Sequence, residues 1–115
     1  SALINGDAMK TSAGALSRIN VCRVENIKDT IDFLKSSGVK VVSISEKGRK
    51  SIWEADFKEP VAIMMGSEED GISEAYLKRS DEHLLIPMPG DIDSLNVSVA
   101  TGIISFEVVR QRLGI

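Results

Sequence analysis

Residues 86–112 read IPMPGDIDSLNVSVATGIISFEVVRQR, and this stretch predicts the end of a strand, a tight loop and then a long helix. Two prolines and a glycine between residues 87 and 90 prevent a continuing strand or helix, because proline lacks an amide proton and glycine favours turns. Ser94 and Asn96 carry side-chain oxygens of the kind that cap helices. We therefore expect the helix to begin at Val97.

The predicted helix carries apolar residues around most of its circumference. This pattern is too broad for an ordinary amphipathic stripe, so we expect the helix to be covered on most of its faces. The exception is a narrow row of small residues, spaced three or four apart, which would let a partner helix or a ligand come close. The row consists of Ser98, Thr101, Gly102 and Ser105. Polarity returns at Glu107 and at residues 110–112, where we expect the helix to leave the core.

The composition is that of an ordinary globular protein. The chain has 115 residues, of which 43% are hydrophobic and 27% charged, enough for one domain with a two-layer core. No apolar run reaches the roughly 18 to 20 residues that cross a membrane, and no signal-peptide pattern opens the chain. We therefore expect one cytoplasmic domain over residues 1–115, with no membrane partner. The single cysteine, Cys22, is expected to be reduced and buried.

The net charge of −3 argues against broad, non-specific binding of nucleic acid, which needs a basic surface. One local basic cluster lies at residues 47–50, and a solvated loop is the default interpretation of it. For the nearby Trp53 we expect a place in the core or over a sheet edge. Stacking on a nucleic-acid base is the alternative for this residue.

Strand and helix patterns alternate along the rest of the chain. Apolar and β-branched runs predict strands, and Asn26, Gly38 and Ser73 supply helix caps or ends. The predicted strands are 20–24, 39–44, 61–65 and 83–86, and the predicted helices run from Asn26 to Gly38 and from Ser73 to about residue 79. Residues 46–58 are expected to be irregular. Strands that alternate with helices predict an α/β fold, with a parallel sheet flanked by helices on both sides.

Two loops follow strands of this predicted sheet, at 66–71 and 87–96, and ligands collect at the carboxyl ends of parallel strands. Both loops combine glycine, side-chain acceptors and free backbone amides, which suits a polar small molecule held through the main chain. The loops are acidic, so a cationic or zwitterionic ligand fits better than a phosphate-rich one. The sequence contains neither the Walker pattern nor the dinucleotide-binding pattern GxGxxG. It also contains no cluster of histidines and cysteines that could bind a metal. The acidic residues 68–70 leave a Mg²⁺ site open.

Two segments closely resemble signature motifs of a known family. MMGSEEDGIS at 64–73 and the stretch at 86–112 resemble the second and third motifs of the SpoU/TrmH family of RNA 2′-O-ribose methyltransferases, within the SPOUT superfamily. TSAGAL at 11–16, followed by VCRVENI, is similar to the central segment of that family. The resemblance covers practically the whole chain.

The resemblance implies a fold and a site. Family members have an α/β sheet with a C-terminal trefoil knot, bind S-adenosylmethionine in the knotted loops, and form homodimers through the third-motif helix. Matching the motifs position by position assigns cofactor contacts to Gly66, Ile86, Met88 and Leu95. It assigns the catalytic positions to Glu68, Asn96 and Ser94, of which Ser94 orients the ribose. The implied reaction is methyl transfer to a ribose 2′-hydroxyl.

One family motif has no counterpart. In the family, an arginine in the pattern Asn-x-Gly-x-x-x-Arg is assigned to activating the hydroxyl. Here Asn5 and Gly6 have the wrong spacing, and the next arginine is Arg18. We therefore expect the chain to begin after the first motif and the opening strand, to keep the cofactor pocket and dimer helix, and to transfer methyl groups poorly alone. Ribosomal RNA, with a 23S-type guanosine as target, is expected ahead of tRNA, because the SAGA-type segment resembles large-subunit guanosine enzymes.

Three other interpretations remain. A catalytically inactive RNA-binding or assembly module of the same fold is favoured by the missing first motif. The acidic loop at 66–71 could be only a solvated turn after a strand. A receiver-like signalling domain needs an acidic pair after its first strand and an aspartate after its third. The sequence lacks that arrangement, since Glu25 and Glu46 follow the strands instead.

Overall fold

The computed structural model describes residues 26–66, 71–90 and 95–115. The described residues form three α-helices, four β-strands and one 3-10 turn. In chain order these are α1 (Ile27–Ser36), β1 (Lys40–Ile44), β2 (Lys50–Ser51), the 3-10 turn (Ile52–Glu54), β3 (Val61–Met65), α2 (Glu74–Arg79), β4 (Glu82–Leu85) and α3 (Val97–Leu113). None of the described helices is both long and apolar enough to span a bilayer.

The four strands form one parallel sheet in the order β2, β4, β1, β3. In the centre of this sheet lies β1, where Ile44 is aligned with Met65 of β3 on one side and with Leu84 of β4 on the other. Every residue from Val41 to Ile44 is buried, as the β-branched pattern predicted. The predicted parallel α/β sheet is therefore confirmed.

Two apolar layers cover the faces of the sheet. On one face, α1 and α2 pack over alternate residues of β1 and β3, and on the other face α3 and the 3-10 turn pack over the remaining ones. The first layer centres on Ile31, Val41 and Met64. The second layer contains Val42, Ile44, Ile52, Ala55, Phe57, Leu84, Ile104 and Val108. The prediction of helices on both sides of the sheet is confirmed.

The end signals of α1 behave as the sequence predicted, whereas Ser73 precedes α2 without forming the side-chain hydrogen bond of a helix cap. The side chain of Asn26 accepts a hydrogen bond from the amide of Asp29 at 3.0 Å, which caps α1. Gly38 follows the helix with a φ of 87°, a left-handed conformation that glycine adopts without strain. Two strand boundaries differ by one residue, since β1 begins at Lys40 and β4 covers Glu82–Leu85. The predicted strand at 20–24 and Cys22 lie outside the described residues.

The prediction that residues 46–58 are irregular was wrong for residues 50–54 and holds for the rest of that segment. Lys50 and Ser51 form β2 by pairing with Leu84 and Leu85 of β4. The 3-10 turn follows at once, and Ser51 caps it by accepting from the amide of Trp53 at 2.9 Å. A two-residue strand leaves no periodic pattern in a sequence, because it exists only where a distant strand offers its hydrogen-bonding edge.

The strand order forces one connection to cross another strand. Since β4 lies between β1 and β2, residues 45–49, which we call the crossing loop, pass over β4 to reach β2. Two backbone bonds hold the loop there, from the amide of Ser45 to the carbonyl of Leu84 and from the amide of Arg49 to that of His83, each 3.0 Å. A side chain on Gly48 would place its Cβ 2.2 Å from the carbonyl carbon of Leu84. The chain therefore crosses β4 at direct backbone contact.

The final helix begins at Val97, as predicted, but is not covered on most of its faces. Four of its side chains are buried, namely Ala100, Ile104, Glu107 and Val108. On the opposite side Val99, Ile103 and Phe106 are exposed, with 51%, 39% and 69% of their surface accessible. In the described chain a single face of α3 meets the sheet, so the second apolar face has no cover.

The expectation that the helix leaves the core at Glu107 was also wrong. Glu107 is only 7% exposed, because Arg110 and Gln111 both donate to its carboxylate, at 2.8 and 2.9 Å. The hydrogen bond from Arg110 is the main reason that the pKa of Glu107 lies below its usual value, and burial opposes this shift. Val108 is buried one residue later. The hydrogen-bonded carboxylate of Glu107 is therefore part of the packed face of α3, although the sequence pattern predicted that it is exposed to solvent.

Candidate functional site

The carboxyl ends of β3 and β4 bring the predicted loops to one edge of the sheet. Both strands run parallel to β1, which lies between them. Neighbouring strands are about 4.8 Å apart, so β3 and β4 are about 10 Å apart. Gly66, which follows β3, and Ile86, which follows β4, therefore leave the same edge in the same direction, separated by the width of one strand.

The first loop closes on itself at its two glycines. A Cβ on Gly66 would lie 2.5 Å from the carbonyl carbon of Gly71 and 2.7 Å from the amide nitrogen of Ile72. No side chain fits at position 66 without moving the backbone, and Gly71 has a φ of 69°. The two ends of the loop are therefore in backbone contact. Glu68 lies outside the described residues.

The second loop begins as an irregular segment. Ile86 packs against the apolar layer under α3, and Pro87 and Met88 are half-buried. Between residues 87 and 90 the backbone makes no hydrogen bond to another described backbone group, because it belongs to neither a strand nor a helix. Its carbonyls and the amides of Met88 and Gly90 can therefore bind a ligand. Ser94 lies outside the described residues.

Leu95 and Asn96 connect this segment to α3. Leu95 is half-buried, and the side-chain oxygen of Asn96 accepts from the amides of Ser98 at 2.7 Å and Val99 at 3.4 Å. The predicted helix cap is thus confirmed. This oxygen is committed to the helix, so any further role of the side chain in the site falls to its amide nitrogen.

Ser45 and His83, which the sequence pattern did not connect, are in contact beside this edge of the sheet. The hydroxyl of Ser45, directly after β1, is 2.7 Å from Nε2 of His83 on β4 and accepts from the amide of Lys47 at 3.1 Å. The pKa of His83 is lowered, first by partial burial and next by the positive charge of Arg49, with Lys47 adding to this and Glu74 opposing it. The imidazole is therefore neutral at pH 7. Only the pairing of Ser43 with His83 brings these distant positions together, and no local signal announces that pairing.

The small-residue row of α3 is divided by the structure. Ser98 and Gly102 face an apolar groove together with Trp53, Val99, Ile103 and Phe106. Thr101 instead donates to the carbonyl of Val97 at 2.7 Å, and Ser105 is half-buried. Trp53 is 65% exposed, so of its two expected places the core is wrong; it lies in the turn that directly follows the edge strand β2. We call the surface formed by Trp53, Val99, Gly102, Ile103 and Phe106 the apolar groove.

Metal ligands are absent from the parts of the chain that are described. No three histidine, cysteine, aspartate or glutamate side chains come together there in a way that could hold an ion. The acidic residues 68–70, for which a Mg²⁺ site was left open, lie outside these parts.

Comparisons with known proteins cover almost the entire chain. The profile described as the SpoU rRNA Methylase family matches residues 1–106. A Xanthomonas campestris protein named 23S rRNA (guanosine-2′-O-)-methyltransferase RlmB is 43% identical over 114 residues, which are 99% of this chain and 46% of that protein. A Mycobacterium leprae protein named an uncharacterized tRNA/rRNA methyltransferase is 37% identical over 112 residues, or 97% of this chain and 36% of the relative. The chain thus spans less than half the length of these relatives.

Solved structures share the fold at similar identity. The A. aeolicus TrmH/SpoU tRNA modifying enzyme has a TM-score of 0.73 and 36% identity, covering 79% of this chain and 47% of that one. The SpoU methyltransferase AviRb from Streptomyces viridochromogenes, solved in complex with AdoMet, has a TM-score of 0.73 and 30% identity, covering 80% and 37%.

Proposed function

This chain belongs to the SpoU rRNA methylase family, and from that premise we propose that the whole protein carrying it transfers a methyl group from S-adenosylmethionine to a ribose 2′-hydroxyl of RNA. The observation that carries the proposal is the common edge where the loops at 66–71 and 86–96 leave β3 and β4. A 23S-type guanosine of ribosomal RNA is the preferred target and tRNA the second. The relative named for 23S rRNA is 43% identical, whereas the tRNA modifying enzyme from A. aeolicus is 36% identical.

The described residues fit the cofactor. A zwitterion needs carbonyls for its ammonium group and amides for its carboxylate, and residues 87–90 present both from a backbone without regular pairing. Gly66 lets the two ends of its loop pack together, while the half-buried side chains of Ile86, Met88 and Leu95 offer an apolar surface to the adenine ring. S-adenosylmethionine supplies a methyl group on a positively charged sulfur, which an oxygen nucleophile can attack.

The chain supplies polar groups around the reacting oxygen. A ribose hydroxyl is a poor nucleophile until a neighbouring group positions it and accepts its proton. We assign the positioning to Glu68, Ser94 and Asn96, with Ser94 orienting the ribose. Activation of the hydroxyl is the task of the first-motif arginine of the family, which has no counterpart in this sequence. Asn96 is fixed by its bonds to the first turn of α3, so its amide nitrogen has a defined direction. A side chain held in this way loses little entropy when it binds substrate.

We further propose that the C-terminal part of the domain is threaded as a trefoil knot. The support is the crossing loop, which passes over β4 with Gly48 at backbone contact, so β4 runs beneath a connection that precedes it in the chain. We propose that the chain then passes beneath the crossing loop on its way from β4 to α3, which makes the knot.

Homodimerisation through α3 is part of the same proposal. The apolar groove exposes several large side chains side by side, and contiguous apolar surface of this kind marks an interface. A Cβ added to Gly102 would meet no neighbouring atom within 4 Å, so a second helix can approach the groove closely there. A second copy of the chain is the occupant that we assign to it.

Substitutions of Asn96 test the catalytic assignment. Asn96→Asp retains a capping oxygen but removes the amide donor, whereas Asn96→Ala removes both. We expect the alanine variant to lose about 1 kcal/mol of stability and both variants to lose about a hundredfold in methyl transfer. The measurements are tritium transfer from labelled cofactor to ribosomal RNA by the whole protein, and thermal unfolding. An aspartate variant with unchanged turnover would remove Asn96 from the catalytic group.

Calorimetric titration with S-adenosylmethionine separates binding from chemistry. We expect the 115-residue chain to bind the cofactor and Gly66→Ala to abolish binding, since the added Cβ has no space. Binding without methyl transfer by the whole protein would support the inactive RNA-binding module instead.

A further inference from the structure

The crossing loop carries two basic side chains whose charges are not neutralised by neighbours. Lys47 and Arg49 are exposed, and neither forms an ion pair with another described residue. Other basic side chains nearby differ. Lys40 and Lys50 both lie 3.7 Å from the carboxylate of Glu82. The charges at positions 47 and 49 therefore remain available to an external anion.

Hydrogen bonds hold the crossing loop in place at both of its ends and at Gly48. Its amides at Ser45 and Arg49 bind the carbonyls of β4, the amide of Gly48 binds the carbonyl of Ser45 at 3.1 Å, and the Ser45 hydroxyl contacts His83. Gly48 faces the backbone of Leu84, and the side chains of Lys47 and Arg49 on either side of it are exposed. Two cations on a fixed support bind an anion with little loss of backbone entropy.

The electrostatic surroundings favour a small anion. The pKa of His83 is lowered mainly by burial, and the positive charges of Arg49 and Lys47 lower it further. Glu46 in the same loop and Glu74 of α2 reduce the field. The balance suits one or two phosphates and not a long stretch of nucleic-acid backbone, in keeping with the net charge of −3.

The position of the loop connects it to the proposed site. The crossing loop begins directly after β1, and the carboxyl end of β1 lies between Gly66 and Ile86. An RNA whose target ribose reaches this edge can therefore place its backbone beside the loop. Arginine offers a planar fork of donors to phosphate, and lysine a compact point charge.

We propose that Lys47 and Arg49 bind phosphate groups of the substrate RNA next to the target nucleotide and so position its ribose at the edge of the sheet. This inference rests on the proposed function and adds substrate-positioning residues to it. Phosphate contacts of this kind orient a nucleic acid without reading its sequence.

The test uses the whole protein and two double variants that change the net charge equally. Lys47→Ala/Arg49→Ala removes the pair, and Lys28→Ala/Lys58→Ala removes two exposed lysines elsewhere as the matched control. Binding to a 23S ribosomal RNA transcript is measured over a range of salt concentrations. We expect the first variant to bind about tenfold more weakly, with a salt slope lower by about one or two, and the control to match wild type. Equal losses in both variants would overturn the proposal.

A third variant and two other readouts separate this inference from the proposed function. Lys47→Arg/Arg49→Lys retains both charges and should retain the wild-type salt slope, whereas a slope as low as that of the alanine variant would contradict a phosphate contact. In the alanine variant we expect an unchanged cofactor affinity and a raised KM for RNA at unchanged kcat. RNA binding requires no cofactor, so failure of wild type to bind S-adenosylmethionine would refute the proposed function while the binding assay still decides the role of the pair.

Discussion

Gly48 shows how one residue can determine whether the crossing loop fits against β4. Its backbone lies against the peptide that joins Leu84 and Leu85, and the nearest atoms to an added Cβ are backbone atoms at 2.2 to 2.6 Å. Backbone atoms in a central strand cannot move aside as the end of a flexible side chain can. The sequence offered only a glycine between basic residues, which is typical of any solvated turn.

We therefore predict that Gly48→Ala destabilises the protein by about 3 kcal/mol or prevents folding, because overpacking against a fixed backbone has no inexpensive relaxation. Unfolding in urea measures the loss. Lys47→Ala, one residue earlier and exposed, should change the free energy of unfolding by less than about 0.5 kcal/mol. Wild-type stability of the glycine variant would mean that the loop crosses β4 at a greater distance.

At the scale of elements, α3 packs on the sheet through its apolar face and binds the segment at 55–59 through polar side chains. Gln111 accepts from the amide of Phe57 at 2.8 Å and donates to the carbonyl of Ala55 at 2.9 Å. Arg112 donates to the carbonyls of Phe57 at 2.9 Å and Glu59 at 3.1 Å. These bonds satisfy the backbone of a segment without regular structure, and Phe57 is completely buried within it.

Gln111→Ala should cost about 2 kcal/mol or more, because it leaves an amide and a carbonyl in the packed segment without partners. Leu113→Ala is the control on the same helix, since Leu113 is 46% exposed and its loss should cost less than about 0.5 kcal/mol. Chemical denaturation of both variants measures the difference. Similar stability for the two would show that the bonds to residues 55 and 57 contribute little.

At the scale of the molecule, the described residues leave one apolar face of α3 without cover. The sequence pattern correctly reported an apolar circumference, yet the sheet covers only one side of it. Phe106 and Trp53 remain 69% and 65% exposed beside each other in the apolar groove. Burying both on a second copy removes this apolar surface from water at a gain of about 25 cal/mol per Å².

We predict that Phe106→Asp produces a monomer at micromolar concentration while wild type is a dimer. Phe33→Asp is the matched control, because Phe33 is 67% exposed on α1, away from the groove, and should leave the dimer intact. Analytical ultracentrifugation of the three proteins distinguishes these states. A monomeric wild type, or equal behaviour of the two variants, would refute an interface at this face.

The sequence by itself determined the local features. These features are the helix caps at Asn26 and Asn96, the helix end at Gly38, the buried strands and the start of α3. Each depends on residues only a few positions apart, through their hydrogen bonds and their hydrophobic periodicity. The parallel α/β class and the positions of two loops followed from their order along the chain. The motif resemblance added the candidate residues, of which Glu68 and Ser94 lie outside the described residues.

Only the tertiary structure decided the order of the strands, the existence of β2, the contact of Ser45 with His83 and the burial of Glu107. Each depends on a partner found far away along the chain or across a packed face: Lys50 is a strand residue because Leu84 lies beside it, and Glu107 stays in the core because Gln111 and Arg110 compensate its charge. Free energies of this kind are sums over surfaces that meet only after folding, so no short stretch of sequence contains them.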